Sequence, residues 1–417
     1  MNLRGFWKAG HNPTLISAFL YFDVSFMVWV ALGPLGPFIG EALKLSATEK
    51  GLMTAIPLLG GSLFRPVLGM LADRIGGRKT GLIGLALTLL PLLLGWQFAS
   101  RLEHLFALGL LLGIAGASFA VALPLASGWY PAEYQGLAMG IAGAGNSGTL
   151  LATLFAPRLA EAYGWQAVLG LATIPVCAVW LLFAAMAKDS PRKRPVARLA
   201  DYAAVLRDSD TAWFCFLYCL TFGTFVGLAS FLTVFFNDQY GLTKVRAGDF
   251  TTVVVLAGSF LRPVGGMLSD KIGGYKLLLA LLMAVGCCLN AVGTQPAFPV
   301  ALFLFALGMA MLGMGNGAVF QLVPQRFPES VGLVTGIVGA AGGIGGFLLP
   351  SLLGVIKDRT GQYGLGFQFF GVTFFAGAVS LLRLGSYWRK SWHPDSVERA
   401  GIFCYRSSLK KSLSEAA

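Results

Sequence analysis

The sequence predicts an all-α membrane protein, with twelve transmembrane helices in two pseudo-symmetric six-helix halves. Three observations carry this. Of 417 residues, 56% are hydrophobic and 12% are charged, about half the charge of an ordinary soluble chain. The apolar residues gather in twelve runs, most with the ~20 residues that a hydrocarbon core requires. The second six runs repeat the first six. This composition excludes a disordered chain and an ordinary soluble enzyme. A net charge of +12 would suggest nucleic acid in a soluble protein. Here it is read as basic loops on one side of a lipid bilayer, with no nucleic-acid partner.

Taken in order, the runs lie at 14–39, 51–71, 80–98, 103–127, 136–158, 165–187, 211–236, 247–268, 276–294, 298–323, 332–355 and 365–388. The first follows a polar, basic start, MNLRGFWKAGHNP. It is too long for a signal-peptide core and has no small-residue cleavage site, so it is expected to remain as a helix. The one long polar interruption is KDSPRKRPVARLADYAAVLRDSD at 188–210. It separates an N-terminal half, 1–187, from a C-terminal half, 211–388, and a tail occupies 389–417. With both termini and the linker on one side, that side holds 21 Lys/Arg against 11 Asp/Glu, and the other eight against seven. The basic side is expected to be cytoplasmic, in a bacterial inner membrane. The linker is read as a topology anchor, with a regulatory or lipid-contacting role as the alternative.

No metal or cofactor is expected. Cys177, Cys215, Cys219, Cys287 and Cys288 fall within apolar runs and read as small packing residues. Cys404 lies in the tail, and no C-x-x-C pair occurs. His11, His104 and His393 sit at span ends or in tails, where no zinc site can be assembled. No Ser/His/Asp set or H-E-x-x-H lies within the spans, so no enzyme is expected.

Self-comparison is the most informative step. GSLFRPVLGMLADRIGGRK at 61–79 matches GSFLRPVGGMLSDKIGGYK at 258–276 at 13 of 19 positions, offset by 197. GIAGAGNSG at 140–148 pairs with GIVGAAGGI at 336–344, and Pro131 with Pro328. The halves are therefore parallel copies, a transporter plan with the substrate site at their interface near the midplane.

The stretch from Gly69 to Lys79 resembles the loop signature between helices two and three of the major facilitator superfamily, with one extra glycine in both copies. An Arg-Pro within helices two and eight, LYCLTFGTFVG at 217–227, and Gly-rich helices five and eleven are similar to the nitrate/nitrite porter family. The likeness covers about 14–388. It implies the major facilitator fold, a monomer, and alternating-access transport of nitrate or nitrite.

Arg65 and Arg262 are the first candidate site residues. Each lies eight residues before an aspartate, Asp73 or Asp270, hence ~12 Å deep. An ionised arginine mid-span costs at least ~2.5–3.5 kcal/mol, so it must face water or a counter-charge. Away from the span ends, where Glu103 and Asp249 lie, only Asp23 supplies a carboxylate within a span, so the pair carries excess positive charge. A guanidinium fork suits a small planar anion. Nitrate and nitrite fit, and a short carboxylate is the alternative. A structural pair joining helix ends is the other reading.

Tyr218 and Phe222 share a helix face at i, i+4. The family resemblance implies that aromatic groups on helices one and seven sandwich the anion, which places Phe26 beside them. Ordinary core packing is the alternative for each ring. Asn146 carries an amide able to donate to an anion, or to another helix, and its repeat counterpart is Gly342. Phe119, Asn316 and Gln321 are further candidates on helices four and ten.

The pairs Gly136/Gly140, Gly332/Gly336 and Gly339/Gly343 have G-x-x-x-G spacing, which lets helices pack closely and slide during gating. Asp73, Arg74, Arg78, Lys79 and Asp270 read as a cytoplasmic gate whose charges pair in one state and part in another. Asp23 stands three residues before Phe26 and is expected near its face. Burial and nearby arginines pull a carboxyl's protonation in opposite directions. Asp23 is therefore the proton-coupling candidate, or else a fixed counter-ion. The expected function is proton-coupled nitrate uptake, with nitrate/nitrite exchange as the alternative.

Overall fold

The computed structural model describes residues 3–190, 199–328 and 330–402, and among them it is helical with no strand. The central stretch of the linker and the last residues of the tail lie outside the described residues. In the N-terminal half, α1 runs Asn12–Trp29 and resumes as Leu32–Ala42, followed by α2 (Ala47–Ile75) and α3 (Gly77–Phe98). Then come α4 (Leu102–Gly116 and Phe119–Ser127), α5 (Ala132–Gly143, a 3-10 turn at Ala144–Ser147, then Gly148–Tyr163) and α6 (Trp165–Leu171 and Thr173–Met186). The C-terminal half opens with α7 (Ser209–Tyr218, a π turn at Cys219–Gly223, then Thr224–Tyr240). It continues through α8 (Lys244–Ile272), α9 (Gly274–Gly293), α10 (Phe298–Arg326), α11 (Val331–Thr360) and α12 (Gly364–Ser391). Short helices occupy Leu3–Ala9, Leu199–Arg207 and Pro394–Ala400.

Eleven of these are long and apolar enough to cross a membrane. The fifth span is carried by the three consecutive pieces of α5, of which the longest has 16 residues. The helices outrun the apolar segments because each is capped in the polar layer. Ser46 accepts from the Glu49 amide while the Glu49 side chain accepts from Ser46, a reciprocal cap that starts α2. At the other end, Gly76 at φ 95° and Gly273 at φ 89° turn α2 into α3 and α8 into α9. Both hold a backbone that glycine alone adopts readily, at matching positions of the repeat.

The described residues nearest both ends of the chain and at both ends of the linker meet on one face, here called the terminal face. Trp129 Nε1 donates to the Lys188 carbonyl at 2.9 Å, and Thr14 bonds Lys188. Gln321 Nε2 donates to the Arg399 carbonyl at 3.3 Å. α7 begins at Ser209, so Asp210 belongs to the bundle rather than the linker. Its buried carboxylate accepts from Trp388 Nε1 at 2.7 Å, from Trp392 Nε1 at 3.1 Å and from Arg326 Nε.

On the opposite face the two halves are zipped together. Lys50 pairs with Asp238 at 2.9 Å, Arg158 with Asp249 at 2.6 Å, and Lys244 with Glu41. Asp358 accepts from the Ala47 and Thr48 amides at 3.1 and 2.8 Å. Gly33 and Gly51 bring α1 and α2 against the Ser230 and Pro350 carbonyls with no room for a Cβ. On the terminal side the picture reverses. A Cβ added at Gly140 or Gly143 of α5, or at Gly332 or Gly336 of α11, meets nothing within 4 Å. The close packing expected from the glycine spacing is thus absent at Gly140, Gly332 and Gly336 in this conformation. It is present at Gly343, whose Cβ would strike Ser62 of α2.

Candidate functional site

The site is built where α2 and α8 bring one arginine from each half to the same depth. Ten residues separate each arginine from the terminal end of its helix, about 15 Å at 1.5 Å per residue. Arg65 is 2% exposed. Its Nε donates to the Gly116 carbonyl at 3.2 Å and its Nη1 to the Gly339 carbonyl, leaving Nη2 buried without a partner. Arg262 Nη2 donates to the Tyr218 hydroxyl at 3.5 Å, and its Nη1 is likewise buried and unpartnered. Among the described residues neither guanidinium forms an ion pair with a carboxylate. Each therefore retains a desolvated, charged N–H without an acceptor, a condition that costs ~1–3 kcal/mol or more per group until something accepts from it.

Aromatic rings wall the pair. Arg65 Cζ lies 5.4 Å from the Trp29 ring, 5.6 Å from Phe119 and 5.3 Å from Phe222. Arg262 Cζ lies 6.0 Å from the same Phe119 ring and 5.8 Å from Phe320. Tyr218 and Phe222 stack on each other at 5.0 Å and 2°. The π turn that begins at Cys219 widens α7 immediately after Tyr218; such turns are frequent at functional sites. Phe119 and Phe320 meet across the halves at 6.3 Å, nearly parallel. They stand closer to the terminal ends of α4 and α10 than the arginines do to theirs, so this pair caps the site on that side.

Phe26 is fully buried but packs on Phe22 and Trp29, and Trp29 is the α1 ring that faces Arg65. Trp29 is fixed by donating to the Pro57 carbonyl at 2.6 Å. Asn146 is buried in the 3-10 turn of α5, with its Oδ1 unpartnered, and Asn316 of α10 is buried in the same condition. Gln321 faces away, accepting from the Gly274 amide at 3.2 Å. Among the described residues Asp23 forms no ion pair with either arginine. It accepts from Ser147 Oγ at 2.6 Å, across the α1–α5 contact.

In the charged loop, Arg78 is held within its own half. Arg78 donates its amide to Asp189 at 2.9 Å and its Nη2 to the Ala184 carbonyl at 2.7 Å. The linker helix Leu199–Arg207 lies beside Asp73; burial, reinforced by that carboxylate, pushes the Tyr202 phenol above its ordinary pKa. Arg74, Lys79 and Asp270 are exposed. Among the described residues they form no ion pair. Trp29, Phe320 and Ser147 are the site residues that sequence reasoning missed. Only Trp29 carried a signal, one turn beyond Phe26.

Comparison with known proteins agrees with this architecture. The Major Facilitator Superfamily profile matches residues 15–350 and 250–400. The chain is 36% identical over 369 residues to the nitrite extrusion protein of Bacillus subtilis, covering 88% of this chain and 92% of that one. It is 35% identical over 355 residues to the probable nitrate/nitrite transporter NarK2 of Mycobacterium tuberculosis, covering 84% and 90%. The probable nitrate transporter NarT of Staphylococcus carnosus is 35% identical over 383 residues, covering 90% and 94%. A crystal structure of a D-xylose–proton symporter superposes with a TM-score of 0.71 at 16% identity, covering 92% and 98%. That likeness is one of fold alone. This multi-pass membrane protein belongs to the Major Facilitator Superfamily and, within it, to the nitrate/nitrite porter family.

Proposed function

We propose that the chain carries nitrate, and nitrite as a related ion, across a bacterial inner membrane, and that nitrate enters together with a proton. The observation that carries the substrate is the pair of unpartnered guanidinium N–H groups, Arg65 Nη2 and Arg262 Nη1. A planar anion accepts from both forks, relieves their repulsion and fits between flat rings. The names of the relatives support this anion. The chain acts by moving its substrate rather than transforming it, as a monomer with cytoplasmic termini and no cofactor.

The conformation described is then the one facing the cytoplasm, shut outside by the ion pairs of the opposite face and closed inside by the Phe119–Phe320 ring pair. Reopening outward brings the terminal halves of α5 and α11 inward, which uses the empty space beside Gly140 and Gly336. The charges of Asp73, Arg74, Arg78, Lys79 and Asp270 form their cross-half pairs in that second state.

Asp23 is the proton site of this reading. An ionisable side chain inside a span is a functional candidate, and Asp23 has no cation to neutralise it among the described residues. Nitrate/nitrite exchange is the second reading. It is favoured by the uncompensated charge of the two arginines, which would keep an anion on the carrier at every turnover. Competition against labelled nitrate uptake in proteoliposomes tests the substrate. Nitrite should compete strongly, and formate, acetate and chloride weakly. Equal competition by formate or acetate would overturn the assignment.

A further inference from the structure

The polar groups around Asp23 occur in one half only. Asp23 corresponds to Leu220 in the repeat, Asn146 to Gly342 and Ser147 to Gly343. The C-terminal half therefore has an apolar Leu-Gly-Gly set where the N-terminal half has an acid, an amide and a hydroxyl. The backbone differs in the same place. α11 runs as one uninterrupted α-helix, whereas α5 tightens into a 3-10 turn over Ala144–Ser147. A mid-helix 3-10 turn often marks a functional hinge.

That turn is clamped to α1 on both sides. Gly145 lies against the Phe22 ring and the Asp23 amide, with an added Cβ only 2.7 and 2.9 Å away, and a Cβ at Gly148 would collide with the Asp23 carbonyl. Between these two contacts stand Asn146, with an unpartnered buried Oδ1, and Ser147, whose hydroxyl donates to Asp23 at 2.6 Å. Adjacent residues of one short turn thus carry the amide proposed for the anion and the hydrogen bond held by the carboxylate.

We infer that Ser147 is a positioning residue that ties the charge state of Asp23 to the seating of the anion at Asn146. This rests on the reading of Asp23 as the proton site. With Asp23 ionised, its carboxylate accepts from the Ser147 hydroxyl and from the Gly148 amide, and Ser147 is held. When a proton from water at the open face reaches Asp23, the neutral acid is a weaker acceptor. The Ser147 hydroxyl is released, and the Asn146 and Ser147 side chains become free to reorient between the two glycine contacts that hold the turn to α1. Loss of the proton to water at the other face restores the first arrangement. No bond other than O–H is made or broken.

Other charges around α1 do not substitute for Ser147. Arg65 of α2 is engaged with Gly116 and Gly339. Arg78, near the start of α3, is bound to Ala184 and Asp189 at the terminal face. On α5, Arg158 pairs with Asp249 at the opposite face, and Glu133 and Glu161 stand fourteen residues before and after Ser147. Glu103 and His104 lie in the first turn of α4, at the opposite face, and α6 carries no charged residue.

The test compares wild type, Ser147→Ala, Ser147→Thr and Asp23→Asn in proteoliposomes, recording nitrate uptake and proton movement from pH 5 to 8. A hydrogen bond donated to a carboxylate favours the ionised form, so its loss in Ser147→Ala should move the pH midpoint of uptake upward by about one unit. The protons moved per nitrate should fall, and Ser147→Thr should restore both. A purely structural role would lower uptake equally at every pH and leave the proton ratio unchanged; that result overturns the inference. If wild type moves protons with nitrate and Asp23→Asn does not, while Ser147→Ala matches wild type, the inference fails and the Asp23 reading stands. If wild type moves no protons, the Asp23 reading itself has failed. Thermal unfolding of each variant in detergent, with and without nitrate, identifies any loss that is merely one of folding.

Discussion

Arg65 and Arg262, from opposite halves of the molecule, share a single aromatic ring: their guanidinium carbons lie 5.6 and 6.0 Å from the centre of Phe119. The repeat sets both arginines at one depth, and the ring between them belongs to neither repeat element. Two cations so placed, each with an unpartnered N–H, suit the small planar anion proposed as substrate. They also explain why the substrate would sit on the pseudo-symmetry axis.

In the proposed function the fork, rather than the charge alone, holds the anion. Arg65→Lys or Arg262→Lys keeps the cation and removes bidentate geometry. Each charge-assisted hydrogen bond lost is worth ~1.5–3 kcal/mol, so nitrate uptake at subsaturating concentration should fall about 10- to 100-fold. Initial-rate measurements in proteoliposomes decide this, and uptake near the unmodified rate in either variant rejects the bidentate role.

In the proposed cycle the Phe119–Phe320 ring pair, 6.3 Å apart, holds the cytoplasmic side of the site shut. Such a pair contributes ~0.5–1.5 kcal/mol beyond its buried area, so Phe320→Ala should speed nitrate release up to about tenfold. Stopped-flow dilution of nitrate-loaded protein measures this rate. An unchanged rate would show that closure lies elsewhere.

The glycines of α5 and α11 make opposite predictions according to what they face. Gly336→Leu and Gly140→Leu enter open space, so the unfolding temperature should stay near that of the unmodified protein while turnover collapses. Gly343→Leu meets Ser62 and the Leu58 carbonyl, and overpacking of this kind costs typically ~1–3 kcal/mol. Thermal unfolding and uptake, measured together, separate the two effects. Full turnover in Gly336→Leu would mean that this surface never closes.

Asp210 predicts a stability effect remote from the anion. It accepts from two tryptophans and from Arg326, tying the start of α7 to the ends of α10 and α12. Removing one partner of a buried pair costs ~3–5 kcal/mol, and the 31% exposure of Arg326 argues for the lower end. Asp210→Ala should lower the unfolding temperature and leave the KM for nitrate unchanged. A changed KM would place this cluster in the transport cycle.

What could be read from the sequence followed from charge and repetition. A charge inside a span demands an explanation, which is why Arg65, Arg262 and Asp23 stood out, and the offset of 197 paired the arginines. Aromatic identity offered no such contrast among 32 phenylalanines. Whether Phe26 or Trp29 faces Arg65 depends on a modest rotation of α1 that no local signal sets. Asp23 looked toward the Phe26 face by spacing alone, yet the backbone contact of Gly148 turns it to α5. The 3-10 turn at Ala144–Ser147 has no proline to announce it, since its winding depends on packing against α1. Glycine spacing marked surfaces able to pack closely but not the state in which they do so. That is why Gly343 is packed and Gly336 is open in the same helix.

The central claim is that nitrate moves on the arginine pair with a proton on Asp23. Its most direct test is wild-type protein in proteoliposomes loaded with a pH-sensitive dye, given nitrate outside with or without nitrite inside. Acidification of the lumen by nitrate alone, abolished in Asp23→Asn while nitrate binding is retained, is the expected result. Nitrate flux that requires internal nitrite and moves no protons would contradict it, and would leave Asp23 as a fixed partner of Ser147 in an anion exchanger.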